Sequence, residues 1–180
     1  MKRAVLTSLA ILAAIALPAA PAGSSSAGST TVLRLDGIGP LKLGMTQTAA
    51  LRTGWLSNRG RGCPLGGPPV PVTYRLAGPR APAAVRGFAE FRGGRLRNLS
   101  FTRGVRTGTG VTVGRTRAAR MVARYRRAGF SASAQFVDTF RGTFVTVRRR
   151  GRTVLGGFGE GGPRRSVVRT LAIPAVAVCE

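Results

Sequence analysis

Two cysteines, five carboxylates and 27 arginines are the residues of this 180-residue chain best suited to chemistry, and histidine is absent. Histidine is the usual general base near neutral pH and the commonest metal ligand. Its absence removes the Ser-His-Asp triad, the Cys-His pair and every His-bearing zinc site. The carboxylates Asp36, Glu90, Asp138, Glu160 and Glu180 stand singly along the chain. A glycosidase-like mechanism would need two of them to converge from distant positions. The expectation is a protein that is not an enzyme, with no catalytic residue, no metal site and no cofactor; a carboxylate-dependent hydrolase is the unfavoured alternative.

The cysteines take their meaning from the N-terminus. Lys2 and Arg3 precede an apolar run from Ala4 to Leu17, and Ala20-Pro21-Ala22 follows as a small-residue cleavage site. This is the pattern of a secretory signal peptide over residues 1–22, the run being short for a membrane span, with an uncleaved anchor as the alternative. Residues 23–30, rich in Gly, Ser and Ala, read as a flexible leader. No later apolar run is long enough to span a membrane. The expected location is secreted, extracellular or at the cell envelope. In an oxidising compartment two thiols allow one intramolecular pairing, a Cys63 to Cys179 disulfide. It would close a loop worth about 4 to 5 kcal/mol in the chain-entropy treatment. A free thiol or an intermolecular bridge are the alternatives.

The elements that must position these groups show an internal repeat. Leu41-Lys42-Leu43-Gly44-Met45-Thr46-Gln47-Thr48-Ala49-Ala50 aligns without gaps on Val111-Thr112-Val113-Gly114-Arg115-Thr116-Arg117-Ala118-Ala119-Arg120. Each copy reads as a short strand, a glycine, one residue, and a threonine that caps a helix. A second match, Phe88–Phe101 with Phe144–Phe158, predicts two hairpins turning at Gly94-Arg95 and Gly151-Arg152. Ala118, Met121, Val122 and Tyr125 give the second helix one apolar stripe, and Gly129 ends it. Residues 60–82 hold six prolines and predict an extended surface loop with an edge strand at Val70–Leu76. Val167–Val178 predicts a last strand with Pro174 at an edge or bulge. Phe88, Phe91, Phe101, Phe140, Phe144, Phe158 and Trp55 are assigned to the core. Gly157–Gly162 fits G-x-G-x-x-G by letter, but no helix follows, so it reads as a flexible loop.

Strand, Gly-x-Thr, helix and then antiparallel strands resembles the tandem modules of beta-lactamase-inhibitor-like secreted proteins and the related single-module lipoproteins of the BamE type. Leu43-Gly44-Met45-Thr46 carries the resemblance, with Val113-Gly114-Arg115-Thr116 behind it. It implies helices on one face of an antiparallel sheet and a protein-binding role. Nothing matches an inhibitor's contact residues, so no site residue follows from it.

The formal net charge is +24. Codon bias in a GC-rich genome would produce it; a surface that attracts polyanions is the functional reading. Two clusters would concentrate the field: Arg117, Arg120, Arg124 and Arg127 on the second helix, and Arg148, Arg149, Arg150 and Arg152 at a hairpin tip. Each is a solvated surface or an anion-binding site, arginine suiting phosphate and carboxylate through paired hydrogen bonds. No motif indicates sequence-specific nucleic-acid recognition. The sequence therefore predicts an α+β protein of two degenerate repeats, residues 31–105 and 106–180, each a helix packed on antiparallel strands. Its expected role is non-catalytic binding of an unknown protein, with an acidic envelope polymer, anionic lipid or nucleic acid as the alternative partner.

Overall fold

The structure, a computed structural model, describes residues 30–63 and 68–178. The expected signal peptide and most of the leader, together with Cys179 and Glu180, lie outside these residues. Strands dominate. A small sheet joins β1 (Thr31–Arg34), β2 (Gly37–Ile38), β3 (Leu41–Lys42) and β8 (Val105–Thr107) in the order β3-β2-β1-β8, with β1 and β8 parallel. An eight-stranded antiparallel sheet contains β4 (Ser57–Arg61), β5 (Val72–Arg75), β6 (Arg86–Arg92), β7 (Arg95–Arg103), β9 (Ser131–Val137), β10 (Gly142–Arg149), β11 (Arg152–Glu160) and β12 (Thr170–Ile173). Its order is β4-β5-β6-β7-β12-β11-β10-β9. Two four-stranded meanders thus meet at β7 and β12, where Phe101 is the direct partner of Leu171.

Helix α1 (Gln47–Arg52) precedes the first meander and α2 (Ala118–Arg127) the second. Thr46 caps α1 as its spacing predicts, its Oγ1 accepting the Ala49 N–H at 3.3 Å. The aligned Thr116 does not cap α2. It is buried, its Oγ1 accepts the N–H of Thr112 at 2.9 Å, and the N-cap falls on Arg117, which makes no side-chain capping bond. A hydroxyl held by its own turn cannot also reach the helix. Gly129, at φ +80°, ends α2 as expected, and the Phe130 N–H bonds the Tyr125 carbonyl.

Both helices lie on one face of the large sheet. Ala118, Met121 and Tyr125 of α2 and Ala50 of α1 join Leu33, Ile38 and Leu41 of the small sheet and Phe91, Leu96, Leu99, Phe101, Val145, Val147, Leu155, Leu171 and Ile173 in one core. Two adjacent glycines of β11 make close approaches to opposite sides possible. A Cβ on Gly157 would stand 3.0 Å from the Met121 Sδ, and one on Gly156 would stand 2.6 Å from the Val176 backbone nitrogen. The Gly157–Glu160 stretch is therefore strand, not the flexible loop that its composition suggests.

Three further expectations change. Val72–Arg75 is an interior strand, because β4 forms from Ser57–Arg61 and takes the edge. β12 is central, and Pro174 follows its last residue rather than sitting at an edge or bulge within it. The matched hairpins form, but β6 and β7 are the third and fourth strands after α1, while β10 and β11 are the second and third after α2. They do not hold equivalent places in the sheet, which accounts for the 57 residues between Gly94 and Gly151 where the Gly-x-Thr turns, at Gly44 and Gly114, stand 70 apart.

Candidate functional site

Among the described residues the acidic side chains stand on separate elements. Asp36 pairs with Lys42 at 3.2 Å beside the turn between β1 and β2, Glu90 is on β6, Asp138 begins a single 3-10 turn after β9, and Glu160 ends β11. Among the described residues no group of three or more His, Cys, Asp or Glu is placed to hold a metal. Cys63 follows β4, and its Sγ lies 3.8 Å from the carbonyl oxygen of Val178, the neighbour of Cys179 in the chain. The expected partner of Cys63 is outside the described residues.

The eight candidate arginines separate into three places. Arg117 and Arg120 line a concavity of about 500 Å³ at the start of α2, together with Arg115 and Arg164. Arg124 and Arg127 line a shallow surface with Thr109 and Gly110 at the other end of the helix, where the Arg124 guanidinium donates to the Gly110 carbonyl. Arg149, Arg150 and Arg152 surround the β10–β11 tip beside Val154, and Arg149 lies 5.8 Å from the centre of the Phe130 ring. Arg148 is in β10 opposite Ser131 and Thr153. One helical face thus supplies two sites, because the loops that meet its two ends differ.

The face of the large sheet turned away from the helices is a second candidate surface. Strand register places Arg75, Phe88, Ser100, Ala172, Gly156, Thr146 and Ser133 in one row across seven strands on that side. Phe144 and Phe158 are direct partners one step along, with ring centres 4.8 Å apart, and Phe140 meets Phe144 edge-on at 5.5 Å. Of the residues assigned to the core, Phe91, Phe101 and Trp55 are buried, whereas Phe140, Phe144 and Phe158 are half-buried and Phe88 is 45% exposed. The correction has a simple cause. Alternation identifies a strand, but which of its two faces meets a helix depends on the register with its neighbours.

Part of this face is already covered. After β12 the chain passes over Gly156, and the Asn98 side chain donates from Nδ2 to the Ala175 carbonyl at 2.6 Å. At the other end of β6, Arg75, Arg86, Phe88, Asn58 and Thr102 surround a cleft of about 610 Å³ whose remaining wall is residues 76–78 and 81–83 with Gly87. The Arg86 Nη1 is fixed by two carbonyls, Ala83 at 2.6 Å and Val85 at 2.8 Å. Sequence reasoning missed Arg75 and Arg86. Their signal was the period-2 spacing of Arg86 with Phe88 on one strand; the approach of Arg75, from the neighbouring strand, has no local signature.

No protein-family model, no curated protein and no solved structure matches the chain.

Proposed function

We propose that this is a secreted, non-catalytic binding protein whose bare sheet face docks a partner protein at or outside the cell envelope. The observation that carries the reading is the uneven covering of the eight-stranded sheet, whose helix-free face is crossed by the C-terminal segment near Gly156 and left open to either side. Helices occupy one face, while the other keeps Phe88, Phe140, Phe144 and Phe158 accessible beside Arg75 and Arg86. Aromatic residues and arginine are the side chains enriched where protein partners dock. Export rests on the sequence pattern of residues 1–22.

The scaffold is read as two degenerate repeats, 31–105 and 106–180. The meeting of two meanders at their fourth strands supports this, as does the spacing of 70 that separates both Gly44 from Gly114 and the strand partners Phe101 and Leu171. The Gly-x-Thr turns support it too. The Gly44 N–H bonds the Leu96 carbonyl at the start of β7, and the Gly114 N–H bonds the Val168 carbonyl just before β12. The likeness to beta-lactamase-inhibitor-like modules remains part of this proposal and rests on the same turn.

The test is capture from envelope and culture extracts by the mature protein and by a Phe88→Ser/Phe144→Ser variant, washed at about 1 M salt, where charge interactions reach only about 3 Å. A protein held by the first and lost by the second supports the reading; equal retention by both contradicts it. A second reading, polyanion binding through arginine surfaces, is favoured by the net charge of +24. It is distinguished by affinity that falls log-linearly with salt.

A further inference from the structure

We infer that Arg115, Arg117, Arg120 and Arg164 form a binding site for a phosphate group. They come from three segments: the turn before α2, the first turn of α2, and the loop between β11 and β12. All four are exposed and border one concavity of about 500 Å³, whose remaining lining residue is Ala119. Among the described residues no carboxylate lines it. None of the four guanidinium groups makes a hydrogen bond or ion pair among the described residues. Four like charges gathered without a counter-charge repel one another, and a bound anion relieves that repulsion. The planar guanidinium, with five donors in a fixed fork, matches a tetrahedral phosphate better than a point cation does.

The backbone holds the arrangement in place. The Gly114 N–H donates to Val168, the Val168 N–H to Thr116 and the Ala118 N–H to Ser166, at 2.8, 2.9 and 2.8 Å. These bonds tie the turn carrying Arg115 and Arg117 to the loop carrying Arg164. A further pair, Arg165 and Ser166 N–H to the Gly162 carbonyl, shapes that loop. The hairpin tip with Arg149, Arg150 and Arg152 offers nearly as many arginines, but one short turn supplies them all. The backbone segments that carry the four arginines at α2 are thus tied together from separate parts of the chain, so that no loop has to be ordered for the side chains to reach a common anion.

The inference deepens the polyanion reading and is independent of the sheet face. Inorganic pyrophosphate and a short glycerol-phosphate oligomer are the probes, titrated calorimetrically against the whole mature protein at about 0.15 M salt. Four variants accompany it: Arg115→Gln/Arg120→Gln, Arg164→Gln, Arg164→Lys, and the charge-matched control Arg34→Gln/Arg52→Gln, two exposed arginines that border neither surface of α2 nor the β10–β11 tip. Removing charged hydrogen bonds is expected to weaken binding roughly tenfold or more in the double site variant. Arg164→Gln should weaken it several-fold, although it lies far from the others in sequence, and the control should stay near wild type. Arg164→Lys, which keeps the charge but loses the fork, should fall between wild type and Arg164→Gln. Tighter binding of pyrophosphate would assign a free anion as ligand, and tighter binding of the oligomer a phosphodiester chain; both outcomes uphold the site. Equal weakening in control and site variants would overturn the site while leaving diffuse polyanion binding intact. Absence of binding to both probes would overturn the site, while the salt dependence of binding to a long polyanion decides the polyanion reading separately.

Discussion

Thr46 and Thr116 occupy the same place in two aligned segments and do different work. Thr46→Ala removes an N-cap bond from a six-residue helix and is expected to cost about 1 kcal/mol. Thr116→Val leaves the Thr112 N–H without its acceptor in a setting where Thr116 is 6% exposed, and should cost about 1 to 3 kcal/mol. Urea denaturation of the two variants checks the order; a larger loss for Thr46→Ala would contradict the assignment. The turn itself was legible because Gly-x-Thr after an alternating segment has few solutions. Which donor each hydroxyl serves was not, since it depends on how far the preceding loop tucks under the helix. Gly157 was similarly misread as part of a loop. Its requirement comes from Met121, 36 residues earlier. Gly157→Leu would overfill that contact and should lose about 1 to 3 kcal/mol.

The strands were recognisable from alternation and turn residues, and their faces were not. Phe101 and Phe88 fall within one predicted hairpin, yet Phe101 is fully buried under the helices and Phe88 is 45% exposed on the opposite side. Two-state unfolding should separate them. Phe101→Ala is expected to cost about 3 to 5 kcal/mol, whereas Phe88→Ser, like most surface changes, should stay within about 0.5 kcal/mol. Comparable losses would mean that the sheet is covered on both sides. Residues 60–82 illustrate the limit of composition. The prolines correctly exclude a helix, but Val72–Arg75 is flanked by prolines and contains none, and it pairs on both sides. The arginine stripe of α2 was legible from spacing alone; Arg164, which completes the site at its start, arrives from a loop that no periodicity connects to it.

At the scale of the molecule, two meanders joined through β7 and β12 produce one broad sheet with a helical side and a bare side. The C-terminal segment crosses the bare side from Pro174 and brings Val178 to Cys63, which suits the proposed Cys63 to Cys179 closure. If that bond forms, its reduction should lower stability by about 2 to 5 kcal/mol, seen as a lower urea midpoint in reductant; an unchanged midpoint would count against it. The charge of +24 acts over the whole surface and weakens with salt, whereas docking through the aromatic face does not depend on it. Hydroxyl-radical footprinting of the protein alone and with its captured partner therefore separates docking on the sheet face from binding through the arginine surfaces. Oxidation of Phe88, Phe144 and Phe158 is expected to fall several-fold in the complex while the exposed arginine surface of α2 stays accessible. Unchanged labelling of the three phenylalanines, with protection confined to α2 or the β10–β11 tip, would contradict it.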